Sequence, residues 1–250
     1  MTLPVAFLNR PIAHRALHDI AAQRPENSRA AIAAAIAGNY GIEIDLQLSQ
    51  DGVAMVFHDY DLRRLTSQTG AIARHTAAEL AAIPLKHSDE GIPTLTEILN
   101  LVAGQVPMLI ELKDQDGAMG ANVGALEQAT ADALADYSGD VAVMSFNPHS
   151  VARMAELCPD IPRGIVTSAY LPQDWPTVPA ATRDRLRGIP DLGRTQSCFI
   201  SHEANDLSSS RVAEIKEAGL KVFCWTIRSA DAEKGARRIV DNVTFEGYLA

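Results

Sequence analysis

Cysteine is scarce in this sequence, and basic charge is outnumbered. Cys158, Cys198 and Cys224 are the only three cysteines in 250 residues. They stand far apart in apolar contexts, without zinc-ligand or disulfide-framework spacing, so buried thiols of a reducing compartment are expected. Lysine and arginine number 22 against 31 acidic residues, a formal net charge of -9. That balance argues against a nucleic-acid partner and against a polybasic membrane patch. An anionic substrate stays open, because a bound metal inverts the local field. No stretch approaches the roughly 18 apolar residues of a membrane span. The first residues, MTLPVAFLNRPIAHR, have a short apolar patch but no basic lead and no cleavage-like site, which makes a poor signal peptide. A cytoplasmic protein is the expectation. A glycine-rich phosphate loop of the dinucleotide or P-loop type is also missing, which weighs against a doubly wound nucleotide-binding sheet. With no low-complexity segment, internal repeat or linker, residues 1–250 read as one domain.

What is present centres on GIEIDLQLSQDGVAMVFHD, residues 41–59. Ile42, Ile44, Leu46 and Leu48 alternate with Glu43, Asp45 and Gln47, the period of a β-strand. Glu43 and Asp45 therefore share one face, two residues apart, and repel unless a cation, a basic side chain or water separates them. Ser49-Gln50-Asp51-Gly52 reads as a turn, and a second apolar run from Val53 ends at His58-Asp59. Alternating charge on a strand often marks nothing more than a solvated face. Other charged strand ends argue otherwise. Ile12-Ala13 leads into His14-Arg15, and the strand Val106–Lys113, VPMLIELK, ends on Glu111 and Lys113.

Ser28 or Asn27 can cap an alanine-rich helix from Arg29. Thr76-Ala77-Ala78-Glu79 has the capping-box pattern of a short helix. Beyond residue 100, strands and helices alternate every 25–35 residues or so, as βα units around a parallel sheet do. Strands are expected at 141–146, 164–167, 198–201, 221–227 and, less regularly, 243–245. Residues 170–195 carry four prolines and read as a long loop with one short helix. About eight strands result, as a (β/α)8 TIM barrel requires, and an open sheet is the alternative.

In such a barrel, function gathers at the C-terminal strand ends. Glu43, Asp45 and Glu111 would offer oxygen ligands suited to a hard cation such as Mg²⁺ or Ca²⁺. Arg15 and Lys113 would offer positive charge to an anion. His14 and His58 would donate and accept protons near neutral pH. These parts describe metal-assisted displacement at a phosphate ester. The remaining histidines, His18, His75, His87, His149 and His202, are expected in loops or at helix starts, with His18 solvated.

The ordered set His14-Arg15-Ala16, Pro25-Glu26-Asn27-Ser28, Glu43 with Asp45, Asp51-Gly52, His58-Asp59, Arg64 with Thr66, Glu111-Leu112-Lys113, Ser145-Phe146 and Trp225-Thr226 resembles the glycerophosphodiester phosphodiesterase family. The resemblance implies a (β/α)8 barrel of the PLC-like phosphodiesterase type. It implies hydrolysis of small-molecule glycerophosphodiesters to sn-glycerol 3-phosphate and an alcohol, with one divalent cation, Mg or Ca. It implies Glu43, Asp45 and Glu111 as metal ligands, His14 and His58 as the acid–base pair, and Arg15 and Lys113 as a phosphate clamp. Phe146 and Trp225 would line the substrate site, with Glu26 and Asn27 standing behind the ligands. Two departures from the family pattern stand out. Ala16 replaces a glycine, which strains the backbone by about 1 kcal/mol or more if that position needs a positive φ. The C-terminal Asp241–Tyr248 segment lacks the usual Thr-Asp-x-Pro. Competing readings are a non-catalytic phosphate-binding barrel, a sphingomyelinase-D-like lyase and a Schiff-base lyase using Lys113.

Overall fold

The structure, a computed structural model, describes residues 2–250. Nine strands form one sheet: β1 Ile12–Ala13, β2 Gly41–Leu48, β3 Ala54–Val56, β4 Met108–Leu112, β5 Val141–Ser145, β6 Arg163–Thr167, β7 Phe199–Glu203, β8 Lys221–Ile227 and β9 Asn242–Phe245. All except β3 pair in parallel, and β1 bonds to both β2 and β9, so eight strands close into a barrel. β3 lies outside the ring, antiparallel to β2 with Gln47 opposite Met55. The chain is a (β/α)8 barrel, as expected, and the open sheet is excluded. The ring needs Asn242–Phe245 as its eighth strand.

The two-residue alternation sorts the side chains. Ile42, Ile44 and Leu46 join Ile110, Leu112 and Val143 in the shell under the helices. The opposite faces of the strands supply Leu109, Ala142, Met144, Val166, Phe199 and Phe223, which form the floor of the barrel interior. Gly164 is small because that floor is full: a Cβ there would stand 2.4 Å from the Phe199 ring. The N-terminal apolar patch is a short helix, Ala6–Asn9, whose Phe7 is fully buried against this floor. Asn242 ties it down, donating from Nδ2 to the carbonyls of Phe7 and Arg10 at 2.7 and 2.6 Å.

The local signals hold in detail. Ser28 caps the helix Arg29–Ala37, and Thr76 with Glu79 forms the expected capping box at Ala77–Ala81. A second capping box, Thr94 with Glu97, starts the helix Leu95–Val102. The region 170–195 departs from expectation, carrying two helices, Ala180–Arg187 and Leu192–Thr195. The first is mostly polar and buries only Leu186, so it has no apolar stripe to read. Among the cysteines only Cys224 is fully buried, and Cys158 and Cys198 are part-exposed. Among the described residues, no helix is long and apolar enough to cross a membrane. Residues 60–93 carry their own apolar cluster, which packs with Met55 of β3.

Candidate active site

Strand register brings the acidic residues together. Asp45 on β2 lies opposite Glu111 on β4. With Glu43 they place one carboxylate oxygen each within 4.8 Å of one another, and all three are buried. Glu43 accepts the Arg15 amide on Oε2 at 2.8 Å, while its buried Oε1 has no partner among the described residues. Asp45 accepts from Asn27 Nδ2 at 3.0 Å on Oδ2, and its Oδ1 makes an ion contact of 2.7 Å with Lys113. Lys113 also donates to Glu111 Oε1 at 2.6 Å.

The electrostatics follow from that geometry. Burial, then the neighbouring Asp45 and Glu111, push the Glu43 pKa well above its ordinary value. Burial also works to raise Asp45, but Lys113, His58 and Arg15 prevail and hold it low. For Lys113 burial works downward, yet Asp45 and Glu111 carry its pKa up. A nucleophilic amine needs the opposite shift. The pairing of Lys113 with Asp45 and Glu111 weighs against the Schiff-base reading. Three converging carboxylates, one with an orphaned buried oxygen, form a donor set that fits a hard divalent cation.

The turn after β1 aims the next residues. Arg15 and Ala16 both take left-handed conformations, with φ of 53° and 65°. The strain expected at Ala16 is therefore present, and Arg15 shares it. This conformation presents the Arg15 amide to Glu43 and the Ala16 amide to the Glu43 carbonyl at 2.9 Å. The Arg15 guanidinium bonds Glu26 at 2.8 Å and lies 3.5 Å from Asp45. Glu26 thus stands behind Arg15 rather than beside the carboxylates, while Asn27 stands behind Asp45.

Each site histidine has a carboxylate on Nδ1. His58 Nδ1 lies 2.6 Å from Asp59 Oδ1, and Arg64 bridges Asp59 to Glu26 with contacts of 2.7 Å to each. His14 Nδ1 lies 2.6 Å from Oε2 of Glu246, just past β9. Oε1 of Glu246 in turn accepts from Arg228 Nε at 2.8 Å. When Nδ1–H serves the carboxylate, Nε2 is the nitrogen left free for chemistry. Burial is the largest influence on His14 and lowers its pKa, against the pull of Glu246. The hydrogen bond from His14 is the largest influence on Glu246 and holds it far below its ordinary value.

A central cavity of about 140 Å³ joins these groups, with His14, Arg15, Glu43, His58, Glu111 and Lys113 in its wall. Phe146 and Trp225 complete it, packed edge to face with ring centres 5.4 Å apart. Trp225 Nε1 donates to the Ser201 carbonyl at 3.1 Å, which fixes its indole. All candidates read from the sequence therefore line this cavity or, for Asp45, Glu26 and Asn27, support groups that do.

Glu246 and Arg228 were not foreseen. The only signal for Glu246 was the atypical C-terminal segment. His18 is not the solvated histidine expected: it is partly buried, 3.6 Å from Glu246 Oε2. His202 is no loop histidine either. It sits buried in β7, bonded to Thr167 and Asp206 at 2.8 and 3.2 Å, away from the cavity. His75, His87 and His149 also lie outside the cavity wall.

The profile of the Glycerophosphoryl diester phosphodiesterase family matches residues 14–245. A glycerophosphodiester phosphodiesterase of Caldanaerobacter subterraneus is 26% identical over 230 residues, covering 88% of this chain and 87% of its own. The structure of an Oleispira antarctica phosphodiesterase in complex with the product sn-glycerol-3-phosphate superposes with a TM-score of 0.77 at 27% identity, covering 98% of this chain and 96% of that one. A glycerophosphodiester phosphodiesterase from Parabacteroides distasonis shares the fold at 21% identity, with a TM-score of 0.74 over 94% of this chain and 92% of its own.

Proposed function

This chain belongs to the glycerophosphoryl diester phosphodiesterase family, and on that premise we propose that it hydrolyses glycerophosphodiesters to sn-glycerol 3-phosphate and an alcohol in a metal-dependent, two-histidine reaction. The observation that carries this reading is the convergence, at one cavity, of Glu43 and Glu111 with Asp45 beside them, two carboxylate-backed imidazoles and two cations. The relative from Oleispira antarctica, with sn-glycerol-3-phosphate bound, supports the product assignment.

Glu43, Asp45 and Glu111 would hold one divalent cation, Mg²⁺ or Ca²⁺. When bound, that cation supplies neutralising charge to the phosphate and acidifies an adjacent hydroxyl. Arg15, fixed through Glu26, can bind two phosphate oxygens with its planar fork, whereas Lys113 acts as a point charge. Phe146 and Trp225 form an apolar wall for the glycerol carbons.

His14 and His58 come from the ends of different strands, so they can flank a phosphate on opposite sides. One takes a proton from the nucleophile, and the other gives one to the leaving alcohol oxygen. The nucleophile in this reading is the substrate's own glycerol 2-hydroxyl, held beside phosphorus, where proximity is worth several kcal/mol. The P–O bond to the alcohol breaks as the cyclic ester forms. Water then opens the ring with the histidine roles reversed. Cleavage of a glycerophosphodiester panel, before and after chelation and with Mg²⁺ or Ca²⁺ restored, tests the proposal. Absence of sn-glycerol 3-phosphate from every diester would refute it and favour the non-catalytic barrel.

A further inference from the structure

Beside the central cavity lies a second, larger cleft of about 420 Å³. The two share His58, Glu111, Lys113 and Phe146, so they are continuous at the reacting centre. The central cavity, at about 140 Å³, has room for the phosphate and glycerol but little else. The other half of a diester must therefore extend outward, and the cleft begins at His58.

The outer walls of the cleft are Tyr60, Met119, Phe146 and Trp175. The Phe146 and Trp175 rings are 4.8 Å apart and tilted by 58°, so they meet at an angle instead of stacking flat. Tyr60 is half-exposed, and its hydroxyl donates to the Asp114 carbonyl, which fixes the ring.

The charges in the cleft sort into two groups. Lys113 is matched by Asp45 and Glu111, and Asp59 by Arg64 and His58. Asp61 and Asp114 have no cationic partner among the described residues. They accept instead from the Arg63 amide, and from Asn147 and the Met119 amide. Burial is the largest influence on Asp114 and raises its pKa, and a cation brought close would favour its charged form. Aromatic faces with unmatched carboxylates attract an organic cation. They repel an anionic alcohol, and a neutral polyol can hydrogen-bond the carboxylates but gains no charge pairing from them.

We infer that the cleft beside His58 is the subsite for the leaving alcohol and that it selects a quaternary ammonium alcohol, choline, over neutral or anionic ones. This deepens the proposed hydrolase reading and rests on it. It places His58 on the leaving-alcohol side of the phosphate.

The test compares kcat/KM for glycerophosphocholine and glycerophosphoglycerol on the whole protein, together with calorimetric titration by choline chloride and by glycerol. The expected result is at least about a tenfold preference for the choline diester, with choline binding and glycerol not. Trp175→Ala and Asp61→Asn should each shrink that preference at least about fivefold, while Trp175→Phe retains most of it. Equal kcat/KM for the two diesters, with no choline binding, would overturn the inference while leaving the hydrolase reading standing. If no diester is cleaved, the hydrolase reading falls instead, and the choline titration alone decides whether the cleft takes a quaternary ammonium.

Discussion

The Nδ1 of His14 and the Oε2 of Glu246 lie 2.6 Å apart, although 232 residues separate them in the chain. The carboxylate supports the charged imidazole against burial, which works to lower the His14 pKa. Glu246→Gln keeps the hydrogen-bonding shape but removes the charge, so the His14 pKa should fall further. The limb of the kcat/KM pH profile that belongs to His14 should then move to lower pH, and kcat should drop by about tenfold or more. A profile that keeps both limbs in place would show that His14 does not control it.

Removing either imidazole should be more severe. His14→Ala and His58→Ala are each expected to lower kcat by at least about 10²-fold, the range of general acid–base catalysis. A glycerophosphodiester without the 2-hydroxyl should bind but turn over far more slowly. Normal turnover of that analogue would replace the cyclic route with direct attack by water.

Arg15 is held by a charge-assisted bond to Glu26 in a turn with positive φ. Arg15→Lys keeps the charge but loses the planar fork. The expected loss in kcat/KM is at least about tenfold, roughly 1.4 kcal/mol. Near-wild-type kinetics would assign Arg15 a structural role.

The carboxylate triad makes a pH prediction for the chelated protein. The Glu43 pKa is raised on folding, so the native state binds more protons than the unfolded one above the ordinary glutamate value. Its contribution to stability therefore declines as pH rises from there through the native pKa. Asp45 works the other way: its native pKa is depressed, and its contribution is lost as pH falls through that value. Glu43→Gln should raise the Tm of the chelated protein near neutral pH and reduce the further rise on adding Mg²⁺ or Ca²⁺. An unchanged metal-dependent rise would remove Glu43 from the ligand set.

Much of this was legible because β-structure writes its faces into the sequence at period two. Ile42, Ile44 and Leu46 against Glu43 and Asp45 separate shell from interior without any tertiary knowledge. The charged ends of β2 and β4 then meet because parallel register puts Asp45 opposite Glu111. The Ala16 strain was visible as an alanine where a glycine was expected. The link between Glu246 and His14 was not legible, since it depends on closure of the barrel from its last strand to its first. Nor was the polar helix Ala180–Arg187, which shows the core almost no apolar surface. Trp175 lies in that proline-rich region, and its place beside Phe146 depends on the same fold-back.

The central claim is hydrolysis of a glycerophosphodiester that depends on a cation held by Glu43, Asp45 and Glu111. The most direct measurement is release of sn-glycerol 3-phosphate from glycerophosphocholine by the purified protein, first with EDTA and then with excess Mg²⁺ or Ca²⁺. Release should vanish on chelation and return with at least one of the two ions, and Asp45→Asn should not regain it. Full release in the chelated sample would contradict the account.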